Sequence, residues 1–172
     1  MFFSFKDSAF KNNNIESYKI AISGTDRDIT WKVLELEVEK YVKIFRKLGI
    51  QKGQPVIIYG DKEASFLVAI LALIKMEIPY IPFDQNYPND WLNKVKIETK
   101  ANIIINSGNY SITIPFPVVI NADLTYEVKS EKNKLEKSRN ITDPIIYIMF
   151  TSGSTGDPKF IQISKKSILS FI

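Results

Sequence analysis

The run of residues 151–159 is the part of the sequence best suited to chemistry. It holds two glycines, four hydroxyl side chains and one lysine. Glycine permits backbone angles that other residues avoid, and hydroxyl and ammonium groups donate hydrogen bonds. Consecutive N–H groups in such a turn form a nest for an anion. The run therefore predicts a phosphate-binding loop, with a plain polar turn as the alternative. The candidate phosphate-binding residues are Thr151, Ser152, Gly153, Ser154, Thr155, Gly156 and Lys159.

This run differs from the common nucleotide-binding P-loop. Lys159 is followed by Phe160 rather than by serine or threonine, and it is preceded by Pro158 rather than by glycine. An apolar, β-like stretch follows it, so phosphate binding at a helix N-terminus is not expected. The backbone nest and the lysine charge remain as the means of binding.

Strands are predicted on both sides of this loop. Residues 145–150 are almost continuously apolar and β-branched or aromatic, and residues 160–163 resume a β-like pattern. A helix is predicted to begin at Ser164. The loop therefore follows the carboxyl end of a buried strand.

Upstream, strands and helices alternate. Thr30 is a plausible N-cap and Gly49 a stop for a helix whose apolar residues recur at gaps of three and four. A strand is predicted at residues 56–59. Asp61 is then expected to cap a helix at residues 62–77 that is apolar on nearly all sides and is therefore enclosed in the core. The apolar stripe of the first helix comprises Trp31, Leu34, Val38, Tyr41, Phe45 and Leu48.

The next segments continue this alternation. Residues 80–84 are expected to form a short strand or an edge segment, because Pro79 and Pro82 lack the N–H donor. Residues 89–98 are predicted to be a helix with Pro88 in its first turn. Strands are predicted at residues 102–106 and 118–120.

Two segments lack a clear pattern. Residues 1–28 are polar and rich in asparagine, with a turn at residues 23–26, and are predicted to be an irregular lead-in. Residues 123–140 are highly charged and are predicted to be an exposed excursion or a marginal helix. Residues 29–172 are assigned to one domain. The fold class is α/β, a layered and largely parallel sheet flanked by helices, in which ligands gather at the carboxyl ends of the strands.

Composition excludes several classes of function. The chain has no cysteine and no histidine, so disulfides, thiolate chemistry and histidine-based triads or zinc sites are excluded. The 19 acidic residues are interleaved with the 23 basic ones, and the net charge of +4 therefore does not predict a nucleic-acid partner. The longest apolar run, residues 64–74, is too short for a membrane span. The N-terminus does not have the pattern of a secretory signal, and cytoplasmic residence is the expectation.

Residues 147–159 resemble the signature of the adenylate-forming superfamily, which includes acyl-CoA synthetases, luciferases and the adenylation domains of peptide synthetases. Two further family motifs appear upstream in the right order, at residues 29–34 and at residues 74–84. The resemblance spans residues 25–172 and is greatest to the amino-acid-activating branch, meaning peptide-synthetase adenylation domains and D-alanine carrier-protein ligases. It implies an N-terminal portion only.

The resemblance implies an ATP-dependent ligase that converts a carboxylic acid, an amino acid in this branch, into its acyl adenylate with release of pyrophosphate. A carrier-protein phosphopantetheine thiol then takes the acyl group. The loop residues would hold the β- and γ-phosphates of ATP. No catalytic residue is assigned within the chain, and the Mg²⁺ ligand, the acid pocket and the remaining C-terminal part of the enzyme are expected beyond Ile172. The 172 residues alone are accordingly expected to be inactive as a ligase.

The chain departs from the family at three places. Phe160 stands where the family usually has glycine, Met76 and Glu77 replace an alanine–glycine pair, and Val33 replaces an acidic residue. The added bulk of Phe160 next to the loop leaves open a second hypothesis, an adenylation fold without activity that serves as an interaction module. An acyl-CoA synthetase is the alternative enzyme branch.

Overall fold

A seven-stranded sheet is the centre of the molecule within the residues that the computed structural model describes, which are 16–61, 63–129, 145–152 and 158–170. A 3-10 turn at Glu16–Tyr18 precedes the first strand. The strands are β1 Ile20–Ser23, β2 Asp28–Thr30, β3 Val56–Gly60, β4 Tyr80–Asp84, β5 Ile103–Asn106, β6 Val118–Asn121, β7 Tyr126–Val128, β8 Ile145–Ser152 and β9 Pro158–Ser164. The helices are α1 Trp31–Lys47, α2 Ala64–Lys75, α3 Asn89–Thr99 and α4 Lys165–Leu169.

The order of the strands in the sheet is β7-β6-β5-β3-β4-β8-β9. The five inner strands run parallel to one another, while β7 and β9 at the two ends pair antiparallel with β6 and β8. Parallel strands need crossover connections. Helix α2 connects β3 to β4, and helix α3 connects β4 to β5. The predicted α/β fold with a largely parallel sheet is therefore confirmed.

Each face of the sheet has its own apolar core. Val56 and Ile58 of β3 pack on the side of helices α1 and α2, whereas Ile57 and Tyr59 pack on the side of helix α3. This division follows from the two-residue period of a strand. All five residues of β3 are buried, as expected for the central strand of a sheet covered on both faces.

Helix α1 forms as its sequence predicts. Thr30 is the N-cap, and its side chain accepts a hydrogen bond from the N–H of Val33 at 3.4 Å. Gly49 follows the helix with a φ of 68°, a conformation that glycine adopts without strain. Leu34, Val38, Tyr41, Val42 and Phe45 form its buried face.

The predicted start of helix α2 is wrong. The helix begins at Ala64 after Glu63, and neither Asp61 nor Glu63 provides a side-chain cap. The carboxylate of Asp26 accepts a hydrogen bond from the Ala64 N–H at 2.7 Å instead. Gly24 permits this approach, because a Cβ at that position would lie 2.5 Å from the Ala64 nitrogen. The cap comes from a residue distant in sequence, which a local pattern does not reveal.

Residues 1–28 were predicted to be irregular, but strands lie at Ile20–Ser23 and from Asp28 onward. Strands β1 and β2 form an antiparallel hairpin around the predicted turn, which is closed by a hydrogen bond from the Gly24 N–H to the Arg27 carbonyl. The charged segment that was expected to be an excursion likewise contains β7, which pairs with β6 at the edge of the sheet. Residues 1–15 and 130–144 lie outside the described residues, and the domain boundary at residue 29 stays a prediction.

Strand β4 is an inner strand, so the alternative of an edge segment is wrong. Val56 donates its N–H to the Pro79 carbonyl, and Gln85 donates its N–H to the Gly60 carbonyl. The backbone N–H and C=O groups of the odd-numbered residues in β4 are therefore directed toward β3. Pro82 consequently faces β8, where its missing N–H interrupts the ladder. A single pair, Tyr80 with Tyr147, joins β4 to β8 within the described part of the chain.

Two turns refine the predicted boundaries. Pro88 is the N-cap of helix α3 rather than a residue of its first turn.

After helix α2, Glu77 has a φ of 55°, in the left-handed region that favours glycine. This conformation agrees with the glycine that the family resemblance implies at that position. The Glu77 carboxylate is ion-paired with Lys52 and with Lys165, the latter at 3.1 Å.

Candidate functional site

The predicted loop connects β8 and β9 as the end of a β-hairpin. Six of the eight residues of β8 are Ile, Tyr, Phe or Thr, which favour a pleated and half-buried strand. Thr151 of β8 pairs with Lys159 of β9, and Ser152 pairs with Pro158. The side chains of Thr151 and Lys159 are exposed. Gly153, Ser154, Thr155 and Gly156 lie outside the described residues.

The hairpin projects from the carboxyl edge of the parallel sheet. Because β8 runs parallel to β4 and β3, its last residues lie at the same edge as Asp84 and Asp61. An open cleft of about 240 Å³ lies at this edge. Ligands in parallel α/β sheets gather at this position. The cleft is lined by Gly60, Asp61, Phe66, Pro82, Asp84, Tyr87, Met149 and Phe150.

Aromatic rings surround Phe150 at the base of the hairpin. The centroid of the Phe150 ring lies 5.4 Å from that of Phe83 and 5.3 Å from that of Tyr87. Trp91 of helix α3 and Phe160 of β9 lie at 6.1 and 6.4 Å. These separations fall in the range of favourable ring contacts. The bulky Phe160 therefore packs on Phe150 within the core on the α3 side.

A buried carboxylate organises the neighbouring loops at the carboxyl ends of β3 and β5. Glu63 is buried, and one of its oxygens accepts hydrogen bonds from the Asp61 N–H at 2.9 Å and from the Ser107 hydroxyl at 3.3 Å. Its other oxygen accepts a hydrogen bond from the Tyr110 hydroxyl. That bond, together with burial, raises the pKa of the Tyr110 phenol to about 12.

Sequence patterns did not indicate this network. Glu63 and Tyr110 are separated by 47 residues and meet only because β3 and β5 are neighbours in the sheet. One signal was available, since both lie just after predicted strands, where functional residues of α/β folds collect. The same signal applies to Asp84, the last residue of β4, and to Tyr87, which follows that strand.

Acidic residues in the described ranges do not converge on a metal. No group of three or more His, Cys, Asp or Glu side chains there is arranged to hold a metal ion. Asp84 instead accepts hydrogen bonds from the backbone and side-chain nitrogens of Asn86, at 2.8 and 2.9 Å.

None of the helices in the described part of the chain is both long and apolar enough to cross a membrane.

Known proteins are similar to this chain in sequence, in fold or in both. The D-alanine–D-alanyl carrier protein ligase of Streptococcus agalactiae is 29% identical over 143 residues, which cover 83% of this chain and 28% of that protein. Gramicidin S synthase 2 of Brevibacillus brevis is 25% identical over 88% of this chain and 3% of its own length. The O-succinylbenzoate coenzyme A synthetase of Bacillus subtilis, solved with AMP, has a TM-score of 0.67 at 15% identity over 88% of this chain and 40% of that chain.

These relatives are much longer than the chain, which spans about a quarter of the ligase it matches. The solved structure, at its low identity, supports the fold alone. The sequence profile of the AMP-binding enzyme family matches residues 9–172, which include the three motifs and the whole of the described sheet. The chain therefore belongs to the AMP-binding enzyme family.

Proposed function

We propose that residues 151–159, which comprise the facing ends of β8 and β9 and the segment between them, bind the outer phosphates of ATP. The reaction proposed is that of a ligase, which converts an amino acid into its acyl adenylate. The position of Thr151 and Lys159 carries the proposal. Both are exposed and paired with each other, at the carboxyl edge of a parallel sheet. Membership in the AMP-binding family supports the nucleotide.

The chemistry of the donors fits a triphosphate. The Lys159 ammonium supplies a positive charge, and the Thr151 hydroxyl supplies a neutral donor at the facing position of the hairpin. Gly153, Ser154, Thr155, Gly156 and the Ser152 hydroxyl are proposed to complete the set. Their role is electrostatic, since they would orient the phosphates and stabilise the negative charge of departing pyrophosphate. Proton transfer is not required of them.

Amino-acid activation with transfer to a carrier thiol is the preferred branch. A relative that acts on D-alanine and a carrier protein covers 83% of this chain. Mg²⁺ would neutralise the triphosphate when bound, and its protein ligand is assigned to parts of the enzyme outside this chain. Phe160 packs on Phe150 on the α3 side of the sheet, and this favours the enzyme over the inactive module.

Lys159→Ala tests the proposal by direct binding. A charge-assisted hydrogen bond contributes about 1.5–3 kcal/mol, so the dissociation constant for Mg-ATP should rise roughly 10- to 150-fold. Isothermal titration calorimetry of the full chain with Mg-ATP and with magnesium pyrophosphate measures it. Lys43→Ala is the matched control, because it removes the same charge from an exposed position on α1. Equal binding by the Lys159→Ala variant and the native chain would contradict the assignment.

A further inference from the structure

The two strands that carry the loop are joined by an aromatic pair at its base. Phe150 and Phe160 face each other across β8 and β9, directly before Thr151 and directly after Lys159. Their ring centroids lie 6.4 Å apart. A glycine at position 160, which the family resemblance implies, would offer no side chain for this contact.

The rest of the sheet holds this part of the hairpin through rings rather than through a backbone ladder. Pro82 lacks the N–H that would continue the ladder from β4 to β8, and the two strands pair only at Tyr80 and Tyr147 within the described residues. Phe150 lies three residues beyond that pair. Its contacts with Phe83 and Tyr87, at 5.4 and 5.3 Å, and with Trp91 at 6.1 Å join the outer part of β8 to the core.

Phe160 extends this attachment to the second strand of the hairpin. Strand β9 is at the end of the sheet and pairs only with β8 in the described part of the chain. The position of Lys159 in β9 is thus set by the β8–β9 ladder, by contacts of β9 with helices α3 and α4, and by the packing of Phe160 against Phe150. Phe83 is fully buried, so the support beneath Phe150 is rigid.

We propose that Phe160 is a positioning residue, which fixes Lys159 opposite Thr151 through its contact with the Phe150 cluster of Phe83, Tyr87 and Trp91. The inference rests on the proposed function for its consequence, tighter phosphate binding. Its structural part, a hairpin stiffened by one ring pair, stands on the contacts themselves. Bulk at position 160 thereby supports the loop from the core side.

Three variants of the full chain test the proposal. Phe160→Ala removes the aromatic ring, Phe160→Tyr keeps an aromatic ring at this position, and Ile161→Ala is the matched control. Ile161 is the next residue of the same strand, is 47% exposed and points to the opposite face, opposite Met149. The Ile161→Ala substitution removes apolar surface from β9 without changing the contacts of the Phe150 cluster.

Two measurements apply to each variant. Hydrogen exchange of the β8 and β9 amides, compared with the amides of β3, reports opening of the hairpin. Titration with magnesium pyrophosphate, followed by Trp91 fluorescence in a Trp31→Phe background, reports binding. Phe160→Ala should speed exchange and weaken pyrophosphate binding, each by about 2- to 12-fold, the factor that corresponds to one aromatic pair. Ile161→Ala should change both by less than about twofold, and Phe160→Tyr should match the native chain.

The outcomes separate this proposal from the proposed function. If the native chain binds neither magnesium pyrophosphate nor Mg-ATP, the proposed function is overturned. Binding by the native chain that is unchanged in Phe160→Ala overturns the positioning role alone. Equal exchange rates in the Phe160→Ala and Ile161→Ala variants also overturn it, because a general loss of apolar surface would then explain the effect.

Discussion

At the scale of single residues, the buried Glu63 carboxylate is stable only because its oxygens are hydrogen-bonded. Donors reach it from three directions, namely the Asp61 N–H, the Ser107 hydroxyl and the Tyr110 hydroxyl. Burying a carboxyl group without such partners is costly. The residue therefore holds the loops after β3 and β5 together at the carboxyl edge of the sheet.

Tyr110→Phe should lower the free energy of unfolding by about 1–3 kcal/mol at neutral pH, because one oxygen of Glu63 loses its donor while staying buried. The hydrogen bond, together with burial, raises the pKa of Tyr110 from 10.0 to about 12. The neutral phenol thus stabilises the fold fully below pH 10, and this contribution is lost as the pH rises toward 12. Urea unfolding between pH 9 and pH 12 should show the two proteins converging. A constant difference over that range would contradict the assignment.

At the scale of secondary-structure elements, predictability from sequence follows the distance between the interacting residues. Helix α1 was predicted with its cap and stop because Thr30, Gly49 and the apolar stripe are local signals. The start of α2 was missed because its cap, Asp26, is 38 residues away. Strand β7 was missed because it is only three residues long and lies in a highly charged segment, so that its pairing with β6 is needed to define it. The hairpin strands were predicted, whereas the ring cluster that holds them required the fold.

Asp26→Ala tests the non-local cap of α2. Loss of a side-chain cap costs about 0.5–2 kcal/mol, so the free energy of unfolding should fall by that amount. The midpoint of urea unfolding should move to a lower urea concentration. The amides of the first turn of α2 should also exchange faster. Asp26→Asn keeps an acceptor oxygen and serves as the control, with most of the stability retained. An Asn variant as unstable as the Ala variant would indicate that the negative charge of Asp26, rather than its hydrogen bond, supports the helix.

At the scale of the whole molecule, the two faces of the sheet are covered unequally at the hairpin. On the α3 side, Phe150 and Phe160 pack within the aromatic cluster. On the other side, Tyr147 stacks on Tyr80 with centroids 5.6 Å apart, but Met149 and Ile161 beyond it are each 47% exposed. These two side chains face each other across β8 and β9. They form a small apolar surface beside an end strand of the sheet, where chains tend to associate.

The Met149→Thr/Ile161→Thr double variant should therefore associate less than the native chain. Threonine keeps the β-branched shape that suits a strand, and exposed substitutions usually change the free energy of unfolding by no more than about 0.5 kcal/mol. Sedimentation velocity over a wide range of concentration measures the association, and urea unfolding checks the stability. Leu36→Gln is the control, because it removes another exposed apolar side chain from α1, away from the hairpin. If Leu36→Gln lowers association as much as the double variant, general surface hydrophobicity and not the β8–β9 surface drives the contact.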